Sequence, residues 1–84
     1  MKFIIYSKQN CTYCIQAKNL LTLKGYEFEE RKIDEDPVRL AELKELVPNA
    51  KTVPQIFSVK EVGEHTSEWR HVGGFDQLSK FLQQ

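Results

Sequence analysis

"KFIIYSKQNCTYCIQAKNLLTLKG", Lys2 to Gly25, changes its period halfway along. Lys2–Ser7 is a short, β-rich apolar run without alternation, the pattern of a strand buried on both faces. From Thr12 to Lys24 the spacing turns helical: Cys14, Ala17 and Leu21 fall at i, i+3 and i+7, with Leu20 beside them. Gly25 is the natural stop. A buried strand that runs so directly into an amphipathic helix is the first half of a βαβ unit.

The segments that follow complete it. "YEFEERKI" (Tyr26–Ile33) reads as a second strand, although its charges weaken the pattern. In "DEDPVRLAELKELVP" (Asp34–Pro48), Asp36 is placed to cap a helix and Pro37 to occupy its first position. Leu40, Leu43 and Val47 give that helix an apolar stripe, and Pro48 ends it. "PQIFSV" (Pro54–Val59) and "EWRHV" (Glu68–Val72) read as strands of a hairpin joined by the polar "KEVGEHTS" (Lys60–Ser67). "GGFDQLSKFLQQ" closes with a helix that turns Leu78, Phe81 and Leu82 inward and is capped by Asp76. The order βαβ, helix, β-hairpin, helix predicts one α/β domain over residues 1–84, with a four-stranded mixed sheet flanked by helices. The βαβ strands should be parallel.

Eighty-four residues hold one core at most. Twelve basic residues balance twelve acidic ones, so no bulk charge draws the chain to nucleic acid or an anionic membrane. The N-terminal apolar run is too short for a signal peptide, and no stretch is long enough to span a bilayer. These readings predict a cytoplasmic protein, in a compartment where thiols are kept reduced.

Cys11 and Cys14 are the only cysteines, and they can staple, bind metal or do redox chemistry. A staple closing so small a loop removes little unfolded-state entropy. A zinc module would have to add His65 and His71, but the gap from the cysteines far exceeds the usual finger spacing. Helix geometry favours redox chemistry. Cys14 lies on the apolar stripe and should be buried. Cys11 sits at the helix start, where it should remain exposed, with free N–H groups, the positive end of the dipole and Lys8 nearby. These favour thiolate, the nucleophilic form. Cys11 then attacks and Cys14, one turn on, resolves. A C-x-x-C beside a βαβ pattern in a cytosolic chain is a redox signal.

"CTYC" after a strand and a lysine, "KTVPQIF", and "HVGGFDQL" together resemble the three glutathione-site segments of dithiol glutaredoxins, in the same order and over nearly all of the chain. The resemblance implies a thioredoxin-like fold and glutathione-dependent reduction of protein disulfides and glutathione mixed disulfides. It implies glutathione as co-substrate, with no resident cofactor or metal. Disulfide-bearing proteins are the implied partners, ribonucleotide reductase among the acceptors it suggests, and a monomer is expected. It assigns Lys8 and Lys51 to the glycyl carboxylate, and a cis bond before Pro54 that leaves the Val53 backbone, next to Thr52, free to pair with the tripeptide. Tyr13 becomes a wall of the groove. Gly73 and Gly74 allow close approach, beside Phe75, while the last helix start takes the γ-glutamyl carboxylate and Asp76 its ammonium.

Thr12 stands where many dithiol members have proline, and Phe75 where many have a small residue. A non-proline at Thr12 keeps open iron–sulfur binding between two subunits, as in some glutaredoxin relatives. A thioredoxin-fold adaptor that binds partners without catalysis is the other alternative, and the paired cysteines argue against it. Ser58–His71 is longer than the hairpin expected of the family. Trp69 is read as hairpin packing, and His65 and His71 as exposed and idle.

Overall fold

A computed structural model describes residues 1–83; Gln84, which the sequence places in the closing segment "GGFDQLSKFLQQ", lies outside the described residues. The chain forms β1 (Lys2–Ser7), α1 (Thr12–Leu23), β2 (Glu27–Lys32), α2 (Pro37–Leu46), β3 (Gln55–Glu61), β4 (Ser67–Gly73) and α3 (Phe75–Leu82). The strand order is β2-β1-β3-β4, with β1 and β2 parallel and the other neighbours antiparallel.

β1 is buried on both faces, as its composition requires. Phe3 and Ile5 join Ala17 and Leu21 of α1, Ile56 of β3 and Leu78 of α3 in one core. Ile4 and Tyr6 point the other way, to Leu43 of α2 and to Phe57 and Val59 of β3. Each fully buried aliphatic side chain contributes about 1.5–3 kcal/mol, so this one strand anchors both layers. α1 stops where the sequence indicates: Gly25 takes φ 79°, and the Tyr26 N–H returns to the Leu21 carbonyl at 2.9 Å.

The charges of β2 are accommodated at the sheet edge by pairing. Glu30 accepts from the Ser7 hydroxyl at 2.7 Å and meets Lys18 of α1 at 2.9 Å. On the opposite face, Arg31 pairs with Glu29 and reaches Glu42 of α2 at 3.1 Å. The Arg31 guanidinium lies between the Tyr6 and Trp69 rings, 5.7 and 5.5 Å from their centroids. Trp69 packs against Phe57 at 5.7 Å, in keeping with a packing role.

The hairpin corrects the sequence reading. Lys60, Glu61 and Ser67 are strand residues rather than loop, and only residues 62–66 connect β3 to β4, closed by the Val62 N–H on the Thr66 carbonyl at 3.1 Å. Strand pairing uses backbone groups, so polar side chains at an exposed hairpin end are compatible with it. His71 is not idle either: its Nε2 lies 2.8 Å from Gln55 Oε1, and its ring rests on Phe57. Among the described residues, no helix is long and apolar enough to cross a membrane.

Candidate active site

The end of β1 delivers the chain to the cysteine pair through a fixed turn. Asn10 adopts φ 57°, and the Gln9 N–H is held by Asp34 Oδ2 at 3.0 Å. Cys11 follows as the N-cap of α1, and its Sγ accepts from the Cys14 N–H at 3.2 Å. Sulfur therefore occupies the place that a serine or aspartate oxygen takes in an ordinary cap. The structure records the pair as a Cys11–Cys14 disulfide, with Cα atoms 5.2 Å apart. Cys14 is 2% exposed, on the apolar face of α1 as its spacing implied.

Cys11 departs from expectation. It is only 8% exposed, because the loop before β3 closes over it and brings the Val53 carbonyl to 3.7 Å from its Sγ. The order of accessibility survives, but both residues are largely shielded. Attack on a disulfide then requires the partner sulfur to enter a groove rather than meet an open surface.

That groove, about 350 Å³, runs between α1, the Thr52–Pro54 loop and the start of α3. Tyr13 forms one wall and stacks on Phe75, with ring centroids 6.2 Å apart. Thr52, Val53 and Pro54 form the other, and the Val53–Pro54 bond is cis, as the resemblance implied. Gly74, Phe75 and Asp76 close the end. Gly73 takes φ 119°, and a Cβ there would lie 3.0 Å from Gln77. A Cβ at Gly74 would stand 3.7 Å from the Pro54 carbonyl, an ordinary contact at the groove end.

Asp76 does not cap α3. The cap position is Gly74, which has no side chain to offer, and Asp76 is the second helical residue, exposed in the first turn. Gln77, missed in the sequence, takes only the donor of the cap residue itself: its Oε1 accepts from the Gly74 N–H at 2.9 Å and its side chain lines the groove. The signal was a glutamine three residues after the cap, the spacing of a capping box. The N–H groups of Phe75 and Asp76 have no intrahelical partner, and both residues line the groove end.

Lys8 and Lys51 lie together, but not in this groove. Both line an adjacent cleft between α2 and the loop before β3, which shares the Thr52–Val53 wall. Among the described residues, Cys11, Cys14, His65 and His71 do not form a cluster able to hold a metal.

Comparison with known proteins agrees with this architecture. Residues 3–65 match the family model described as Glutaredoxin. The chain is 43% identical over 75 residues to the glutaredoxin of Pseudomonas aeruginosa, covering 89% of this chain and 77% of that protein. It is 38% identical over 74 residues to glutaredoxin 3 of Escherichia coli strain K12, covering 88% and 77%. The solution structure of glutaredoxin from Brucella melitensis superposes with a TM-score of 0.69 at 37% identity, covering 99% of this chain and 79% of that one.

Proposed function

The chain belongs to the glutaredoxin family, whose members are thiol–disulfide oxidoreductases, and on that footing we propose that glutathione is its electron donor. The observation that carries the reading is the groove itself. One wall includes Val53, whose carbonyl stands 3.7 Å from Cys11 Sγ, and the start of α3, with Asp76, closes its end.

In the reduced protein the Cys11 thiolate attacks a glutathione mixed disulfide in line. A bond forms between Cys11 Sγ and the glutathione sulfur, and the target thiolate leaves. A second glutathione thiolate then attacks the bound glutathione sulfur, releasing glutathione disulfide and restoring Cys11. With a protein disulfide as substrate, Cys14 attacks Cys11 Sγ, expels the substrate's second thiolate and leaves the internal disulfide, which two glutathiones reduce. The Val53 backbone pairs with the tripeptide beside the sulfur, Tyr13 and Phe75 cover it, and the cations of Lys8 and Lys51 lie beyond Thr52 for its glycyl carboxylate. The Phe75 and Asp76 N–H groups receive the γ-glutamyl carboxylate, and the Asp76 carboxylate its ammonium. Residues 1–84 act as one domain on disulfide-bearing proteins of a reducing cytoplasm.

Asp76→Asn tests the assignment, since it removes charge and keeps size. Rates with glutathione should fall about five-fold, the scale of one partly screened ion pair, while rates with dithiothreitol and the melting temperature hold. Equal slowing with both reductants would show that Asp76 is structural.

A further inference from the structure

The cleft holding Lys8 and Lys51 lies beside the groove, shares its Thr52–Val53 wall and has an interior of its own. Its volume is about 170 Å³, and Ile33, Leu40, Leu43 and Val47 give it an apolar floor. An apolar cavity of about 150 Å³ is large enough to hold benzene, so this one admits one leucine- or phenylalanine-sized side chain. A third cation, Lys44 in the last turn of α2, joins Lys8 and Lys51 at the rim. None of the three lysines forms an ion pair among the described residues. The nearby acids are engaged instead: Asp34 holds the Gln9 N–H, and Glu35 meets Lys32 at 3.5 Å. An apolar hollow ringed by unpaired cations complements a segment that is apolar and acidic together.

We propose that this cleft docks the protein substrate, taking from it an apolar side chain flanked by carboxylates and close to its disulfide cysteine. The shared Thr52–Val53 wall fixes the arrangement. Val53 lines the cleft, and its carbonyl stands 3.7 Å from Cys11 Sγ, so a substrate cysteine at Cys11 puts its neighbouring residues at the cleft mouth. Glutathione carries carboxylates but no apolar side chain, and leaves the floor and Lys44 unused. The proposal rests on the oxidoreductase reading but not on glutathione as the donor.

The test is single-turnover reduction of disulfide-linked peptide dimers by the reduced, reductant-free protein. Cys11 attacks one peptide sulfur and expels the first peptide thiolate. Cys14 then releases the second, so the enzyme dithiol supplies both electrons and a failure of glutathione use cannot mask the result. Three peptides carry, beside cysteine, leucine with two glutamates, leucine with two glutamines, or serine with two glutamates. The first should react fastest. Lys44→Glu should slow the two glutamate peptides about five-fold, the scale of one exposed charge contact reversed, and leave the glutamine peptide unchanged. That loss should shrink at about 1 M salt, where charges are screened within ~3 Å. Ala50→Leu, which fills the cleft, should erase the advantage of leucine over serine and keep the effect of the glutamates. Equal rates for all three peptides, or uniform slowing of all three in Lys44→Glu, would overturn the proposal. So would a Lys44-dependent dimer in sedimentation, which would make a second copy of the chain the occupant.

Discussion

The start of α2 and the starts of α1 and α3 solve one problem in opposite ways. Every helix begins with N–H groups that lack intrahelical partners. At α2 they are closed: Pro37 removes one donor, and Asp36 Oδ1 accepts from the Val38 N–H at 3.0 Å. At α1 the capping atom is Cys11 Sγ, and at α3 the cap is Gly74, with no side chain at all. The two poorly closed starts are the two that border the groove. The weak cap at α1 places the reactive atom itself in the positive field of the helix. At α3 the missing side chain leaves donors free for an anion. Capping energy given up at two helix starts thus becomes a means of holding charge.

The largest break in this comparison removes the sulfur cap. Cys11→Ser restores an oxygen cap and should abolish reduction of both mixed and protein disulfides. Cys14→Ser should keep mixed-disulfide turnover, which needs one thiol and external glutathione, and lose most activity on protein disulfides. In the reduced wild type, iodoacetamide should label Cys11 well before Cys14 near neutral pH, as peptide mapping would show. Activity retained in Cys11→Ser but lost in Cys14→Ser would reverse the roles.

A smaller effect comes from exchanging the two designs. Asp36→Ala should cost about 1 kcal/mol of stability, or several degrees in melting temperature, with glutathione-supported rates unchanged. Gly74→Ser should do the reverse. The new Cβ meets the Gln77 side chain at 3.3 Å, a contact that a flexible glutamine relieves, and the serine oxygen then competes for the donors at the helix start. Glutathione-supported rates should fall about five-fold while melting holds. Unchanged rates in Gly74→Ser would mean that the open start of α3 does not bind the anion.

Local features of this design are legible in the chain. The doubly buried β1, the stripe of α1 and the Asp36–Pro37 start of α2 are period and capping signals contained within one element. The cis bond at Pro54 came through the resemblance rather than from any local rule. The misread features depend on backbone pairing or on distant partners. Lys60, Glu61 and Ser67 look like loop because strand hydrogen bonds leave no mark on polar side chains. Cys11 looks exposed because nothing near it in sequence reveals that Val53, 42 residues away, lies against it. The adjacency of Lys8 and Lys51 was invited by charge, but the cleft that Lys44 shares with them depends on how α2 packs. Gln77 is the one miss whose signal was local.

The smallest effect sharpens the comparison from beneath α1. A helix with a weak cap needs anchoring elsewhere, and Glu30 provides it by receiving Ser7 of β1 and Lys18 of α1 together. Burial pushes the Glu30 carboxyl up, but hydrogen bonds from Ser7 and Lys18 outweigh it and hold the carboxyl below its ordinary range. A carboxylate depressed in the folded state gives stability that is present above its unfolded pKa, about 4.3, and is lost as pH falls through the lower folded value. Glu42 is held low in the same sense against burial, by Arg39 and Tyr6, so both helices loosen in acid. Glu30→Gln keeps the shape, cannot ionise and leaves the Lys18 ammonium without its counter-charge. Its melting temperature should lie a few degrees below wild type at neutral pH, and the two curves should converge below about pH 4 as the wild-type carboxylate is protonated. The matched change Glu42→Gln should show a similar convergence but leave the rate of Cys11 alkylation untouched, because α2 carries no reacting atom. In Glu30→Gln that rate should change, since the anchor of the sulfur-capped helix has been weakened. A constant gap between the Glu30→Gln and wild-type melting curves from neutral pH to pH 3 would show that Glu30 acts through packing and not through its charge.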